Sequence, residues 1–372
     1  MNISATSRLI LSKNVYFYSL ITGLWLLAQI AFGKMLPDYT DLEAGKYFNA
    51  AMVLVNDGAL PNLRYVFYGF ITLFFALHIK FGIAFYVFIA FQVLLSFFAF
   101  LVFIHTIKKC YGVLPAFFCA LLMSASHDWN SWNYYMFSDS TFFSFTLIWL
   151  ASLLRYSKPN FKQILLQILF LSLCILSRPI GLGYLVLYGV FLIQSPIFTK
   201  KSTKLAIFAF SSILFLWFSY LVVERIEDHS LYISTTEGWI ICGVPSDLAA
   251  QINVPEHYSP ARAWIYLILQ EPITFVKLFF LRLFSFFSPY SSYYSLSHNF
   301  LNTLVALGIY LGLFVRWRKK GLKRTNLDVA LESFLFLYVF IIALQCDNWE
   351  GRFFAASIPL WLLIGVARIF KS

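Results

Sequence analysis

The sequence predicts an all-α integral membrane protein of about ten transmembrane helices, with interfacial helices in the first and in a later extracytoplasmic loop. Three observations predict it. Of 372 residues, 60% are hydrophobic and only 12% are charged, about half the charge of a soluble domain. Apolar runs recur along the chain at lengths near the ~20 residues that cross a bilayer core, whereas no alternating pattern of about ten residues repeats as in a membrane barrel. The basic residues also alternate between the gaps. With ten spans, 18 of the 28 Lys and Arg face one side, together with only 2 of the 17 acids. Such an excess marks the cytoplasmic face, so both termini are expected there. A pI near 9.3 is thereby explained without nucleic acid.

The elements follow in order. Arg8 and Lys13 precede a span at 15–33. No small-residue cleavage site follows it, so a retained span is favoured over a signal peptide. The loop at 34–81 is extracytoplasmic. Within it, Tyr47, Ala51, Leu54 and Val55 make one helical stripe that Gly58 ends. Tyr65–Ile79 is apolar but ends in Lys80. Were it to cross, the next helix would carry Lys108 and Lys109 outward, so it is read as lying in the interface or dipping partway in. Spans follow at 82–107, ending on that Lys pair, at 111–127, and at 140–154, ending on Arg155. Further spans lie at 163–177, 180–196 and 205–223, the last two separated by Lys200, Lys201 and Lys204.

A second extracytoplasmic excursion covers 224–298. Ser259-Pro260 opens one helix in it as an N-cap and first-turn pair. Pro272–Ser288 carries Lys277 and Arg282 and is read as lying in the interface or dipping partway in, because crossing would turn Arg316 to Arg324 outward. Spans at 299–316, 329–345 and 355–370 complete a single polytopic domain over 1–372. The five cysteines form no metal or disulfide framework; Cys242 and Cys346 share the outer side and could pair, but the odd total argues against it.

Chemistry-bearing residues gather outside. Asp38, Asp41, Glu43 and Lys46 follow the first span. Locally, Thr40 and Glu43 fit a capping box, with Asp41 complementing the helix dipole. The same carboxylates stand where a lipid-borne substrate meets the membrane surface, and a base there can take a proton from an acceptor hydroxyl. Arg352 lies in the polar turn Asp347-Asn348-Trp349-Glu350-Gly351-Arg352, and Arg178 lies at another outer turn. Arginine at a membrane edge often snorkels to headgroups. Its guanidinium can also grip a phosphate with a forked pair of bonds. His127-Asp128 opens the aromatic stretch 129–135, read as an interfacial belt; no third metal ligand has convincing spacing. No Gly-rich nucleotide loop occurs, which disfavours a nucleotide-sugar donor.

The chain resembles the GT-C superfamily of polytopic membrane glycosyltransferases, which use polyprenyl-phosphate sugars. Asp41-Leu42-Glu43 is similar to that family's first-loop acidic pair, followed by Tyr47, Ala50-Ala51 and Asn56-Asp57-Gly58. Ser138-Asp139 resembles a later Thr-Glu or Ser-Glu pair, and Ser177-Arg178-Pro179 a Thr-Arg-Pro turn. Glu350-Gly351-Arg352-Phe353 with Pro359 is similar to a late acidic-x-Arg-Tyr pattern. The chain differs in its smaller number of spans and short second loop. The resemblance implies transfer of a sugar from a polyprenyl-phosphate donor to an extracytoplasmic glycan, lipid or protein of the cell envelope. It implies Asp41 and Glu43 as catalytic residues and Arg352 and Arg178 as donor-phosphate ligands. Asp38, Lys46, Asp139 and Glu350 would support them, with a divalent cation allowed but not required. A lipid-linked polysaccharide polymerase or ligase, and a lipid flippase or transporter, are the alternatives. Ion-coupled transport would place ionisable groups near the bilayer midplane, where the predicted spans have almost none.

Overall fold

The computed structural model describes residues 5–33, 42–195, 197–225, 233–234, 236–244, 246–249, 252, 254–255, 258–319, 324–344, 346 and 351–369. Asp38, Asp41 and Glu350 lie outside the described residues. Among those described, the chain is helical throughout and has no strand beyond one isolated bridge, Ile241 with Val244. We label the helices α1 (Ala5–Phe32), α2 (Leu42–Asp57), α3 (Gly69–Phe81), α4 (Phe85–Tyr111), α5 (Val113–Ala125), α6 (His127–Ser131), α7 (Asp139–Arg155) and α8 (Phe161–Ser177). They continue as α9 (Gly183–Gln194), α10 (Lys201–Arg225), α11 (Pro260–Gln270), α12 (Pro272–Phe287), α13 (Leu296–Arg318), α14 (Asn326–Leu344), α15 (Arg352–Ile364) and α16 (Val366–Ile369). Each of the ten expected spans falls on one or two of them.

Among the described residues, six helical segments are long and apolar enough to cross a membrane: Asn14–Phe32, Leu63–Phe81, Phe85–Tyr111, Lys201–Phe218, Leu296–Arg318 and Asn326–Leu344. The protein is thus a multi-pass membrane protein. Two segments bear on the excursions that the sequence predicts to lie in the interface or dip partway in. Leu63–Phe81 qualifies as a span, because a 3-10 turn at Leu63–Tyr68 runs directly into α3 and lengthens the apolar run. α11 and α12 bend by 115° at their junction, where Glu271 precedes Pro272 and proline disfavours helical backbone in the residue before it. This is a broken span or a re-entrant pair rather than one straight helix.

α7 is the centre of the bundle, buried from Asp139 to Leu153. It packs on α4 and α8. Its Ser140, Ser144, Ala151 and Ser152 let neighbouring helices approach closely, as small residues do where lipid supplies no hydrophobic drive. α10 faces outward instead. Phe210 is 64% exposed and Leu216 63%, a surface suited to hydrocarbon and costly in water.

The stretch 129–135 is not a surface belt. Trp129, Asn130, Trp132 and Asn133 are buried. Ser140 Oγ donates to Asn133 Oδ1 at 2.6 Å, Asn133 Nδ2 donates to Gln29 Oε1 at 3.0 Å, and Gln29 Nε2 donates to Asn130 Oδ1 at 2.8 Å. Each amide that leaves water finds partners, so burial is tolerated. This network ties α1 and α7 to the turn beneath the site.

Cys242 and Cys346 form a disulfide across 104 residues, with Cα atoms 5.3 Å apart. The odd count misled because Cys110, Cys119 and Cys174 stand in or beside helices and stay reduced. Beside the bridge, the buried Arg282 donates to the carbonyls of Ser234, Trp239 and Leu344 at 2.6–2.7 Å. A loop of this length is expected to lose about 2–5 kcal/mol when opened. Cys346→Ser, or the wild type under reductant, should melt clearly lower in detergent. Unchanged melting in both would show that the bond does not hold the excursion.

Candidate active site

Helix α2 brings Glu43 into the protein on its buried side. Ala44, Tyr47, Ala50 and Ala51 pack inward, as 3.6-residue spacing requires, and Tyr47 stands one turn beyond Glu43. Its hydroxyl donates to Glu43 Oε1 at 2.7 Å. The other oxygen, Oε2, pairs with Arg352 Nη1, 309 residues away in sequence. Lys46, on the same helix, is exposed.

Arg352 starts α15. Gly351 caps that helix with φ of 67°, a left-handed conformation that suits glycine. A side chain at 351 would also collide with the Asp128 carboxylate. The guanidinium is held from three sides. Its carbon lies 4.4 Å from the Trp132 ring centre and 5.0 Å from that of Phe137, both within cation–π range. Arg352 is only 8% exposed, so it is anchored inside the protein and does not snorkel.

The second pair joins Arg178 Nη1 to Asp139 Oδ1. Arg178 ends α8 just before Pro179, and Asp139 is the first residue of α7, fully buried. Arg178 also acts electrostatically on Glu43 and Tyr47, so the two pairs share one field. Four sequence-predicted residues, Glu43, Asp139, Arg178 and Arg352, are therefore brought together.

Sequence reasoning missed the aromatic walls. Tyr68 packs against Tyr47 with ring centres 5.0 Å apart and tilted, and Arg64 lies over its ring at 5.8 Å. The spacing of Glu43 and Tyr47 by four residues was the available signal, since such side chains meet on a helix. Trp132 and Phe137 carried no comparable signal.

Burial pushes the Glu43 carboxyl up. The Arg352 and Arg178 charges and the hydrogen bonds from Tyr47 and Arg352 outweigh it and hold it at about 2. Such a carboxylate is a weak base, and both its oxygens are engaged. Burial, with Glu43 adding to it, raises the Tyr47 hydroxyl well above its ordinary range, so Tyr47 stays a donor. The Glu43 value lies below the 4.5 of a free glutamate, so this pair stabilises the fold fully above pH 4.5. The contribution is lost as pH falls through about 2. Melting temperature in detergent should fall over that window, and Glu43→Gln should remove part of the fall. An unchanged acid profile in the variant would rule the pair out as its source.

Among solved structures, the chain is similar to ArnT from Cupriavidus metallidurans. It is 16% identical to the apo form, with 98% of this chain and 78% of that chain covered and a TM-score of 0.35. Against the form bound to undecaprenyl phosphate the identity, coverage of this chain and TM-score are the same, with 79% of that chain covered. No protein-family model and no curated protein matches the chain.

Proposed function

We propose that this protein is a membrane glycosyltransferase of the GT-C kind, moving a sugar from a polyprenyl-phosphate carrier to an extracytoplasmic acceptor. The observation that carries it is the convergence of Glu43 with Arg352 and Asp139 with Arg178 in one electrostatic field, from four distant parts of the chain. A buried arginine, Arg352, and a partly buried one, Arg178, each braced by a carboxylate, are suited to a phosphate-bearing lipid.

In this reading the acceptor oxygen bonds to the sugar's anomeric carbon as the carbon–oxygen bond to phosphate breaks. The bonding pair leaves on the phosphate, where Arg352, helped by Arg178, stabilises the growing negative charge. The acceptor's proton goes to Asp41. Glu43 is less suited to that task, because Arg352 and Tyr47 hold it ionised at about 2, so it positions Arg352. Asp139 does the same for Arg178. Asp38 and Glu350 flank these groups in sequence, and Lys46 stands at the exposed edge of α2. The disulfide supports an extracytoplasmic setting, since such bonds persist in oxidising compartments.

The test is transfer from a radiolabelled pool of polyprenyl-phosphate sugars in proteoliposomes, with Asp41→Asn beside the wild type. A covalent product that needs Asp41 is expected. Movement of the lipid across the bilayer without any covalent product would replace transfer by flipping.

A further inference from the structure

The structure brings a third residue to His127 and Asp128. His298, in the first turn of α13, reaches the same carboxylate across 170 residues. Asp128 Oδ1 stands 3.3 Å from His127 Nδ1 and 2.5 Å from His298 Nε2. The three ligand atoms all lie within 4.8 Å of one another. A tetrahedral zinc ion with bonds of about 2.0–2.1 Å separates its ligand atoms by about 3.3 Å. The cluster therefore needs only small side-chain shifts to close on an ion.

The surroundings fit a built site. The imidazoles of His127 and His298 lie 3.9 Å apart, and Tyr294 stacks on His298 at 3.8 Å, so His298 is held between two rings. Asn302 Nδ2 donates to Asp128 Oδ2 at 3.0 Å and fixes the carboxylate. Asp128 also lines a cavity of ≈ 50 Å³ with Ser126, Tyr294, Asn302 and Gly351, room for a water beside the carboxylate.

We propose that His127, Asp128 and His298 form a divalent metal site of the zinc class, with a fourth position open to solvent or substrate. Two imidazoles and one carboxylate suit zinc and its surrogate cobalt better than calcium or magnesium, which take oxygen ligands. The site adjoins the turn that carries Arg352, because Gly351 is in contact with Asp128. An ion there would add positive charge beside that turn and polarise whatever oxygen entered the open position. The rival arrangement is a plain relay, in which both ring N–H groups donate to Asp128 and no metal enters.

Metal content decides between them independently of transfer activity. The full chain in detergent is stripped with chelator, dialysed against zinc or cobalt, and measured by elemental analysis, with the visible cobalt spectrum as a second readout. Wild type should retain one equivalent and show tetrahedral cobalt bands. His298→Ala should retain none, and His78→Gln, remote from the cluster, should match wild type. Asn302→Ala should keep the stoichiometry but bind about 10–100-fold more weakly, as loss of an outer-shell partner does. If His298→Ala does not elute as a monodisperse species, His127→Gln is read instead, its side chain being 32% exposed. Wild type retaining no more metal than the ligand variant overturns the proposal, as does a full equivalent in that variant. A loaded protein without transferase activity would leave the metal site standing and remove the glycosyltransferase reading.

Discussion

Asp41→Asn is expected to lower sugar transfer by about 10²–10⁴-fold, the usual contribution of a positioned general base. The amide has nearly the same shape and can still hydrogen-bond, but it cannot accept the acceptor's proton. The neighbouring Glu43 is a poor substitute. Its carboxylate is held at about 2, with one oxygen on Arg352 and the other on Tyr47. Freeing it would break its ion pair with Arg352. Melting of the Asp41→Asn protein should stay near that of the wild type, because the amide keeps the size and the hydrogen-bonding oxygen of the carboxylate. Initial rates at saturating donor, measured beside melting curves, separate the two effects. Transfer at the wild-type rate by a folded Asp41→Asn protein would sink the base assignment.

Arg352→Lys is expected to cost about 10²–10³-fold in turnover, the range for losing one preorganised donor to developing charge. Lysine keeps the charge but loses the planar fork, and an ammonium is more strongly hydrated. It would fit poorly between Trp132 and Phe137, which receive the guanidinium at 4.4 and 5.0 Å. Arg352→Ala should also unfold more easily, by about 3 kcal/mol, since it leaves the partly buried Glu43 without its cation. Combining it with Glu43→Gln should recover part of that stability while transfer stays low, because paired residues are not additive. A lysine variant with wild-type turnover would show that charge alone suffices at this position.

The helices were legible because the signals for them are local. Apolar run length and the alternation of basic gaps placed α4, α10, α13 and α14 without any tertiary information. The same reasoning is weaker where two neighbouring elements share one path, as at Leu63–Phe81, where a 3-10 turn feeds α3 and lengthens the apolar run. It failed at 129–135. Aromatic composition resembles a surface belt, and only the partners Gln29 and Ser140 show that the stretch is buried.

Within the site, the acids and arginines were visible as residue types on one membrane face, but their pairing was not. Glu43 meets Arg352 across 309 residues, and His298 meets Asp128 across 170. No periodicity encodes contacts at that separation. The disulfide was missed for a related reason. Counting cysteines tests a whole framework, whereas a single bond needs only two Cα atoms brought to 5.3 Å.

That bond also orders the protein's own assembly. Cys242 is synthesised early and Cys346 late, with α11 to α14 between them. The two sulfurs cannot meet until those helices have been made and seated. The closed bridge is thus a covalent record that α11 to α14 have been seated, left six residues before Arg352. A chain halted or misthreaded in that interval would keep its thiols, and alkylation of Cys242 in newly made protein would count the unfinished molecules.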